Sequence, residues 1–238
     1  MKKTAAKNIR SGECFICHES IAKAQITRHL GKCIAAQKPL AGEAIKMLRL
    51  QIEGRYLPDY WMQVAIPGAW TLDDLDSFMR ETWLECCGHL SCFTIDGTRY
   101  AYEPFNESIL GRREKSMDVK LYKVLGIGAE FTHEYDYGST TDLVLRVVGA
   151  YEGAAVSGDV QILARNNPFK FACVDCGKPA KQVNAGYGWL DPKHCYCTAC
   201  AKKSDADEGM WLPIVNSPRV GVCGYCGDAY DECTEDDV

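Results

Sequence analysis

Cysteine pairs separated by two residues are the feature of this sequence best suited to chemistry. The chain has 14 cysteines in 238 residues. Four thiolates, or three thiolates with one imidazole, are the donor sets of structural zinc sites. Zn²⁺ is therefore the predicted cofactor. The predicted metal ligands are Cys14, Cys17, His29, Cys33, Cys173, Cys176, Cys197, Cys200, Cys223 and Cys226.

The first set has the spacing Cys14-x2-Cys17-x11-His29-x3-Cys33. It resembles the C2HC variety of the zinc-finger family over about 20 residues. The two cysteines at the start suit a turn, and a histidine and a cysteine four residues apart lie on one face of a helix. A segment this small cannot fold without its metal, so zinc binding and folding are expected to be one event. His18 is an alternative ligand.

The helix of this finger indicates a possible partner. It carries Lys23, Gln25, Arg28 and Lys32, which can reach phosphate or a base edge, and Ser20 is predicted to cap it. Residues 1–55 hold 11 Lys and Arg against 4 Asp and Glu, whereas the whole chain has a net charge of −5. Nucleic acid is one predicted partner of this finger, and another protein is the alternative.

The second set, Cys173-x2-Cys176-x20-Cys197-x2-Cys200, has zinc-ribbon spacing. Four thiolates close a tetrahedral site and leave no open position, which favours a structural role over a catalytic one. The alternative is four reduced cysteines packed in a core.

A further pair, Cys223-x2-Cys226, lies in the glycine-rich segment GVCGYCG. Together with Cys195, Cys233 and His194 it could complete a second site in the C-terminal region. The alternative is a single zinc, with the remaining cysteines as core residues.

A central cluster contains Cys86, Cys87, His89 and Cys92 in the segment WLECCGHLSCF. Adjacent side chains point apart in both helices and strands, so neither element places all four groups on one side. The sequence therefore favours cysteines packed at a helix-to-strand junction over a metal site.

The elements that position these groups are mostly strands. LRLQIEG, YWMQVAIPG, EFTHEYDYG, TTDLVLRVVGAYEG and DVQILAR each have strand character, and Asp96-Gly97 predicts a hairpin turn. Thr71, with Asp74 three residues later, predicts the start of an amphipathic helix. The predicted fold class is α+β, an antiparallel sheet packed with helices, with small zinc-binding modules at both ends.

Two stretches, IPGAWTLDDLDSFMRETWLECCGHLSCFTIDGTRY and EFTHEYDYGSTTDLVLRVVG, resemble the plasmid pRiA4b ORF-three-like family. Its members are also labelled mobile-element passenger TnpR proteins. The resemblance covers roughly residues 48–227 and implies an α+β domain, but it implies no activity. The predicted domains are a C2HC finger at 1–38, the family domain at 48–166, and a zinc-ribbon-like module with an acidic tail at 167–238.

The predicted function is binding, with zinc in a structural role. The alternative is an enzyme of unknown reaction, and a pocket containing His89, His133 and Asp136 is the place where its site is expected. No apolar run is long enough to span a membrane, and no export signal is apparent, so the sequence predicts a cytoplasmic protein without membrane contact.

Overall fold

The structure is a computed structural model of the chain, and it describes residues 11–37, 44–104, 114–154, 160–188, 190–204 and 211–227. Within these residues no helix is both long and apolar enough to cross a membrane.

One large sheet of ten strands dominates the structure. Its strands, in spatial order, are β2 (Ser20–Ala22), β1 (Ser11–Cys14), β10 (Gln161–Asn166), β4 (Trp61–Pro67), β3 (Ala44–Gly54), β9 (Thr141–Ala154), β8 (Glu130–Tyr135), β5 (Ser91–Ile95), β6 (Thr98–Ala101) and β7 (Lys115–Ser116). Neighbouring strands are antiparallel except β6 and β7, which are parallel. A second sheet has the order β12 (Cys195–Tyr196), β11 (Gln182–Asn184) and β13 (Trp211–Pro213).

Helices are few in the described part of the chain. The four α-helices are α1 (Lys23–Ala36), α2 (Leu72–Met79), α3 (Leu121–Val124) and α4 (Thr198–Ala201). A π-helical turn, Arg80–Leu84, continues α2, and short 3-10 turns occupy Ala185–Tyr187 and Pro192–His194.

The prediction of a helix-packed α+β fold is wrong. A ten-stranded mixed sheet dominates the chain, and two of the four α-helices are only four residues long. The prediction failed because hydrogen bonds between distant segments built most of the sheet. Strand β1, from the predicted finger, pairs with β10 about 150 residues later, with Gly12 opposite Asn166. Such pairings leave no local pattern in the sequence.

Both faces of the sheet are covered where β3 and β4 meet. Strand β4 is buried at all seven positions. Because side chains alternate between faces along a strand, this requires a packing partner on each side. On one face Met47, Trp61 and Ala65 pack with Ile26 and Leu30 of α1. The other face forms the larger core with α2, and its residues from β3 and β4 are Leu48, Leu50, Ile52, Met62, Val64 and Ile66.

The local predictions for α2 and for the hairpin are confirmed. Thr71 Oγ1 accepts from the backbone N–H of Asp74, whose carboxylate accepts from the backbone N–H of Thr71, which closes a capping box. Asp96 and Gly97 connect β5 to β6 with φ values of 47° and 75°. By contrast, Ser20 does not cap α1, because it lies in β2 and Ala22 is the N-cap residue.

The C-terminal part of the chain docks against the large sheet through both apolar and polar contacts. The ring of Phe169 packs on Tyr60 with centroids 4.8 Å apart. Ser217 Oγ donates to the carbonyl of Trp83 at 2.7 Å in a buried position. The finger and the ribbon are thus packed on the central sheet, while the predicted domain boundaries stay a prediction.

Candidate metal centres

Three groups of cysteine and histidine side chains converge in the described residues. In each group, the four candidate donor atoms lie within 4.8 Å of one another, so each group could hold a metal ion. The finger cluster is Cys14, Cys17, His29 and Cys33. The ribbon cluster is Cys173, Cys176, Cys197 and Cys200. The central cluster is Cys86, Cys87, His89 and Cys223.

The finger cluster brings the turn after β1 against the middle of α1. His29 Nε2 lies 3.2 Å from Cys17 Sγ and 3.3 Å from Cys33 Sγ. The turn is closed by the backbone N–H of His18, which donates to the carbonyl of Cys14 at 2.7 Å. The side chain of His18 contacts the carboxylate of Glu13 at 3.0 Å, so it is not the ligand that joins this cluster.

The ribbon cluster has a similar turn. The backbone N–H of Gly177 donates to the carbonyl of Cys173, and Gly177 has a φ of 71°, a conformation that favours glycine. Cys197 is the N-cap residue of α4, and Cys200 lies within that helix. Cys176 Sγ and Cys197 Sγ are 3.7 Å apart. The four sulfurs therefore meet between one turn and one short helix.

These spacings fit a tetrahedral zinc site. With Zn–S bonds of about 2.3 Å and Zn–N bonds of about 2.0 Å, tetrahedral ligands lie about 3.8 Å apart for two sulfurs and about 3.5 Å apart for sulfur and nitrogen. The sulfur–sulfur distance in the ribbon cluster agrees closely, and the sulfur–nitrogen distances in the finger cluster are slightly shorter. All of these cysteines are free thiols.

The surroundings of these thiols shift their acidity in opposite directions. Burial would raise the pKa of Cys173, but backbone N–H groups around the turn stabilise its thiolate and lower the pKa to about 6. Burial and the neighbouring thiols raise the pKa of Cys33 to about 12. Contacts with Cys176 and Cys197 raise the pKa of Cys200 to about 12. A bound divalent cation would remove this mutual repulsion, so metal binding is expected to release protons.

The central cluster joins the segment after α2 to a residue more than 130 positions later. Cys87 Sγ lies 3.8 Å from Cys223 Sγ, and His89 Nε2 lies 3.3 Å from Cys223 Sγ and 3.4 Å from Cys87 Sγ. Cys86 Sγ is 3.5 Å from Cys87 Sγ. The sequence indicated that neither a helix nor a strand would place Cys86, Cys87 and His89 on one side. The structure brings these three residues together with Cys223.

Regular alternation does not apply to this segment because it is neither helix nor strand. The π-helical turn ends before it, and Gly88 has a φ of 73°. The chain therefore turns sharply between Cys87 and His89, and both side chains reach the same point. The positive φ is allowed at low cost by the absence of a side chain on Gly88.

The predicted pairing of Cys223 with Cys226 differs from what the structure shows. Cys226 Sγ donates to the carbonyl of Gly224 at 3.3 Å and lies outside the three clusters. Cys223 belongs instead to the central cluster, in a turn where Cys223 and Gly224 both have positive φ values.

The remaining cysteines also lie outside the clusters or outside the described residues. Cys195 is fully buried, and its thiol donates to the carbonyl of Asp191 at 3.4 Å. Cys92 is fully buried and contacts the carboxylate of Glu134 at 3.4 Å. Cys233 lies outside the described residues.

The proposed catalytic pocket comes together only in part. Asp136 Oδ2 lies 3.6 Å from His89 Nε2. Burial would raise the pKa of Asp136, but a hydrogen bond from Arg219 and two backbone N–H groups outweigh it and lower that pKa. His133 is fully buried elsewhere, and its Nε2 donates to Asp76 at 2.6 Å.

No family model matches this chain, and no curated protein matches it. The chain is similar to the crystal structure of a protein of unknown function from Methanosarcina mazei Go1, with a TM-score of 0.45 and 19% sequence identity. The similarity covers 57% of this chain and 77% of that chain. At this level of similarity neither a common fold nor a common function follows.

Proposed function

We propose that this chain is a zinc-binding protein whose N-terminal finger contacts nucleic acid. Zinc is structural in the finger and ribbon clusters. The observation that carries the proposal is the division of α1 into an apolar face held by the sheet and an exposed basic face.

The donor sets favour zinc over magnesium and calcium. Three thiolates with one imidazole, or four thiolates, match the structural sites that zinc prefers, whereas magnesium and calcium prefer oxygen ligands. Bound zinc supplies charge neutralisation and fixed geometry, and four protein ligands leave no position for substrate. The residues therefore position secondary structure around the ion.

The exposed face of α1 is basic. Ile26 and Leu30 are fully buried against the sheet, while Gln25, Arg28 and Lys32 are exposed. The three exposed residues follow each other at spacings of three and four, so they line one face of the helix. Helix α1 contains no acidic residue. In the described part of the chain, neither Arg28 nor Lys32 forms an ion pair.

Lys23 does not belong to this face. Its ammonium group lies 2.5 Å from a carboxylate oxygen of Glu53 and 2.5 Å from the carbonyl of Pro58, and its side chain is mostly buried. The sequence placed Lys23 among the phosphate contacts, but the structure uses it to hold the start of α1 against the turn between β3 and β4. This difference provides an internal control for a binding experiment.

Replacement of Arg28 and Lys32 by alanine is expected to weaken binding to duplex DNA and to reduce its salt dependence. Each lost phosphate contact lowers the slope of log K against log salt by about 1, so the double variant should lose about 2. The measurement is fluorescence anisotropy of the full chain with a labelled 20-base-pair duplex of random sequence, between 20 and 200 mM salt.

Lys23→Ala is the matched control, because it removes one positive charge from the same helix at a position already paired with Glu53. Its salt slope should equal that of the unchanged protein. The nucleic-acid proposal is contradicted if the unchanged protein does not bind at 20 mM salt, or if the Arg28 and Lys32 variant keeps the full slope.

Membership of the pRiA4b ORF-three-like family, and with it a role in a mobile element, is a proposal that rests on the residues of the 48–227 region alone. A protein partner is the alternative to nucleic acid, and failure of the unchanged chain to bind the duplex would favour it.

A further inference from the structure

We infer that the central cluster is a third metal site, of the Cys3His class, that clasps the C-terminal segment onto the end of the large sheet. The C-terminal segment is residues 211–227. The site is formed by Cys86, Cys87 and His89 on the sheet side and by Cys223 on the segment. This inference is independent of nucleic-acid binding.

The spacing of the donor atoms supports a metal ion in this cluster. The two sulfurs of Cys87 and Cys223 are 3.8 Å apart, which is the edge expected for two thiolates on one tetrahedral zinc ion. The same distance is far beyond the length of about 2.05 Å of a disulfide bond. The imidazole of His89 presents Nε2 to both sulfurs at nearly equal distances of 3.3 and 3.4 Å.

The central cluster is open to solvent. Cys87 and Cys223 are exposed, so an ion can reach them. Three neighbouring thiols with a half-buried imidazole among them form a donor set that binding of a soft divalent ion would complete.

A buried ion pair between Arg219 and Asp136 lies next to the cluster, and its arginine contacts one of the ligands. Arg219 is fully buried, and its guanidinium donates to Asp136 at 2.8 Å and to Cys86 Sγ at 3.3 Å. A site of three thiolates and one divalent ion carries a net negative charge, and the hydrogen bond from Arg219 stabilises the thiolate of Cys86. Such outer contacts orient ligands and are typical of built metal sites.

The contacts of Arg219 also place Cys223 next to the other residues of the cluster. Its guanidinium donates to the carbonyl of Ser139 at 3.1 Å and to Thr141 Oγ1 at 3.0 Å, and it stacks on the ring of Tyr135 at 4.8 Å. These contacts fix the segment between the end of β8 and the start of β9, four residues before Cys223. The metal would then close the connection, joining residues 136 positions apart.

A metal ion in the central cluster would also affect a cleft beside the C-terminal segment. The C-terminal segment forms one wall of a cleft of about 460 Å³, through Ile214 to Ser217 and through Tyr225. Residues of β10 and the exposed ring of Phe15 also line this cleft. A metal in the central cluster therefore fixes the wall of this cleft in place.

Zinc content of the purified full chain tests the inference. The unchanged protein should contain three zinc ions per chain by elemental analysis, Cys223→Ser should contain two, and Cys226→Ser should still contain three. Both variants replace a cysteine thiol by a hydroxyl group, at positions three residues apart. Only the sulfur of Cys223 belongs to the central cluster. Equal zinc content in Cys223→Ser and in the unchanged protein would overturn the inference, as would a lost ion in Cys226→Ser.

Cadmium substitution of the unchanged chain gives a test that needs no variant to fold. Its ¹¹³Cd spectrum should show three resonances, one in the range of four sulfur ligands and two in the range of three sulfurs with one nitrogen. Two resonances would overturn the inference. So would a peptide map under non-reducing conditions in which Cys87 and Cys223 are joined by a disulfide.

Discussion

Cys197→Ser should unfold the ribbon while leaving the large sheet intact. The thiol of Cys197 is almost fully buried within the ribbon cluster. Zinc contributes about 10–16 kcal/mol to the folding of small zinc domains, because the unfolded chain holds no preformed site. The apolar core around the small sheet contains only a few fully buried side chains among the described residues. This core is too small to order the segment without its metal.

Hydrogen exchange of the full chain measures this effect. Peptides that contain β11 and β13 should lose protection by about 100-fold or more, while peptides from β3 and β9 should keep theirs. Cys195→Ala is the matched control, because Cys195 is fully buried in the same ribbon but lies outside the cluster. It should lose no zinc and cost only about 1 kcal/mol. Unchanged protection of β11 in Cys197→Ser would contradict the role assigned to the ribbon cluster.

Asp76→Ala should be the most destabilising substitution in the polar network of the large core. Asp76 is 1% exposed and accepts from His133 Nε2 and from Arg80 Nε, both at 2.6 Å. Removal of this carboxylate leaves the buried Nε2–H of His133 and the Nε–H of Arg80 without their hydrogen-bond acceptor. Loss of one member of such a buried pair costs about 3–5 kcal/mol. Urea denaturation with excess zinc, followed by tryptophan fluorescence, measures the loss.

Asp73→Ala provides the control, because Asp73 is an exposed acidic residue in the first turn of the same helix. It should change the unfolding free energy by less than about 1 kcal/mol. A similar loss in both variants would show that the buried contacts of Asp76 are not the cause.

The effect of Asp76 should also depend on pH. Burial would raise the pKa of Asp76, but hydrogen bonds and charge from His133 and Arg80 outweigh it and hold that pKa below the ordinary value. A lowered pKa stabilises the fold above pH of about 4, and this contribution disappears as pH falls through the folded-state pKa. The difference in stability between the unchanged protein and Asp76→Ala should therefore shrink below pH of about 4.

Local features of this fold could be predicted from the sequence because neighbouring residues determine them. The capping box of α2, the hairpin at Asp96 and Gly97, and the alternating burial of Phe131, His133 and Tyr135 in β8 all follow from short-range patterns. The finger and ribbon clusters also contain the residues that their spacing grouped, although metal binding by them stays a prediction.

Contacts between distant segments could not be predicted. The pairing of β1 with β10 extends the large sheet into the predicted finger, and no local pattern indicates it. The central cluster depends on Cys223, which lies beside Cys87 and His89 in a segment that Arg219 holds between the end of β8 and the start of β9. The sequence sign of this cluster was a pair of adjacent cysteines close to a histidine. It was discounted because the segment was assumed to have regular helix or strand geometry.

Anomalous scattering from a crystal at the zinc absorption edge tests the central claim most directly. The account predicts one strong peak among the sulfurs of Cys173, Cys176, Cys197 and Cys200, and another between His29 and the three cysteines of the finger cluster. Electron density without an anomalous peak at these two positions, in crystals of protein purified without chelator, would contradict it.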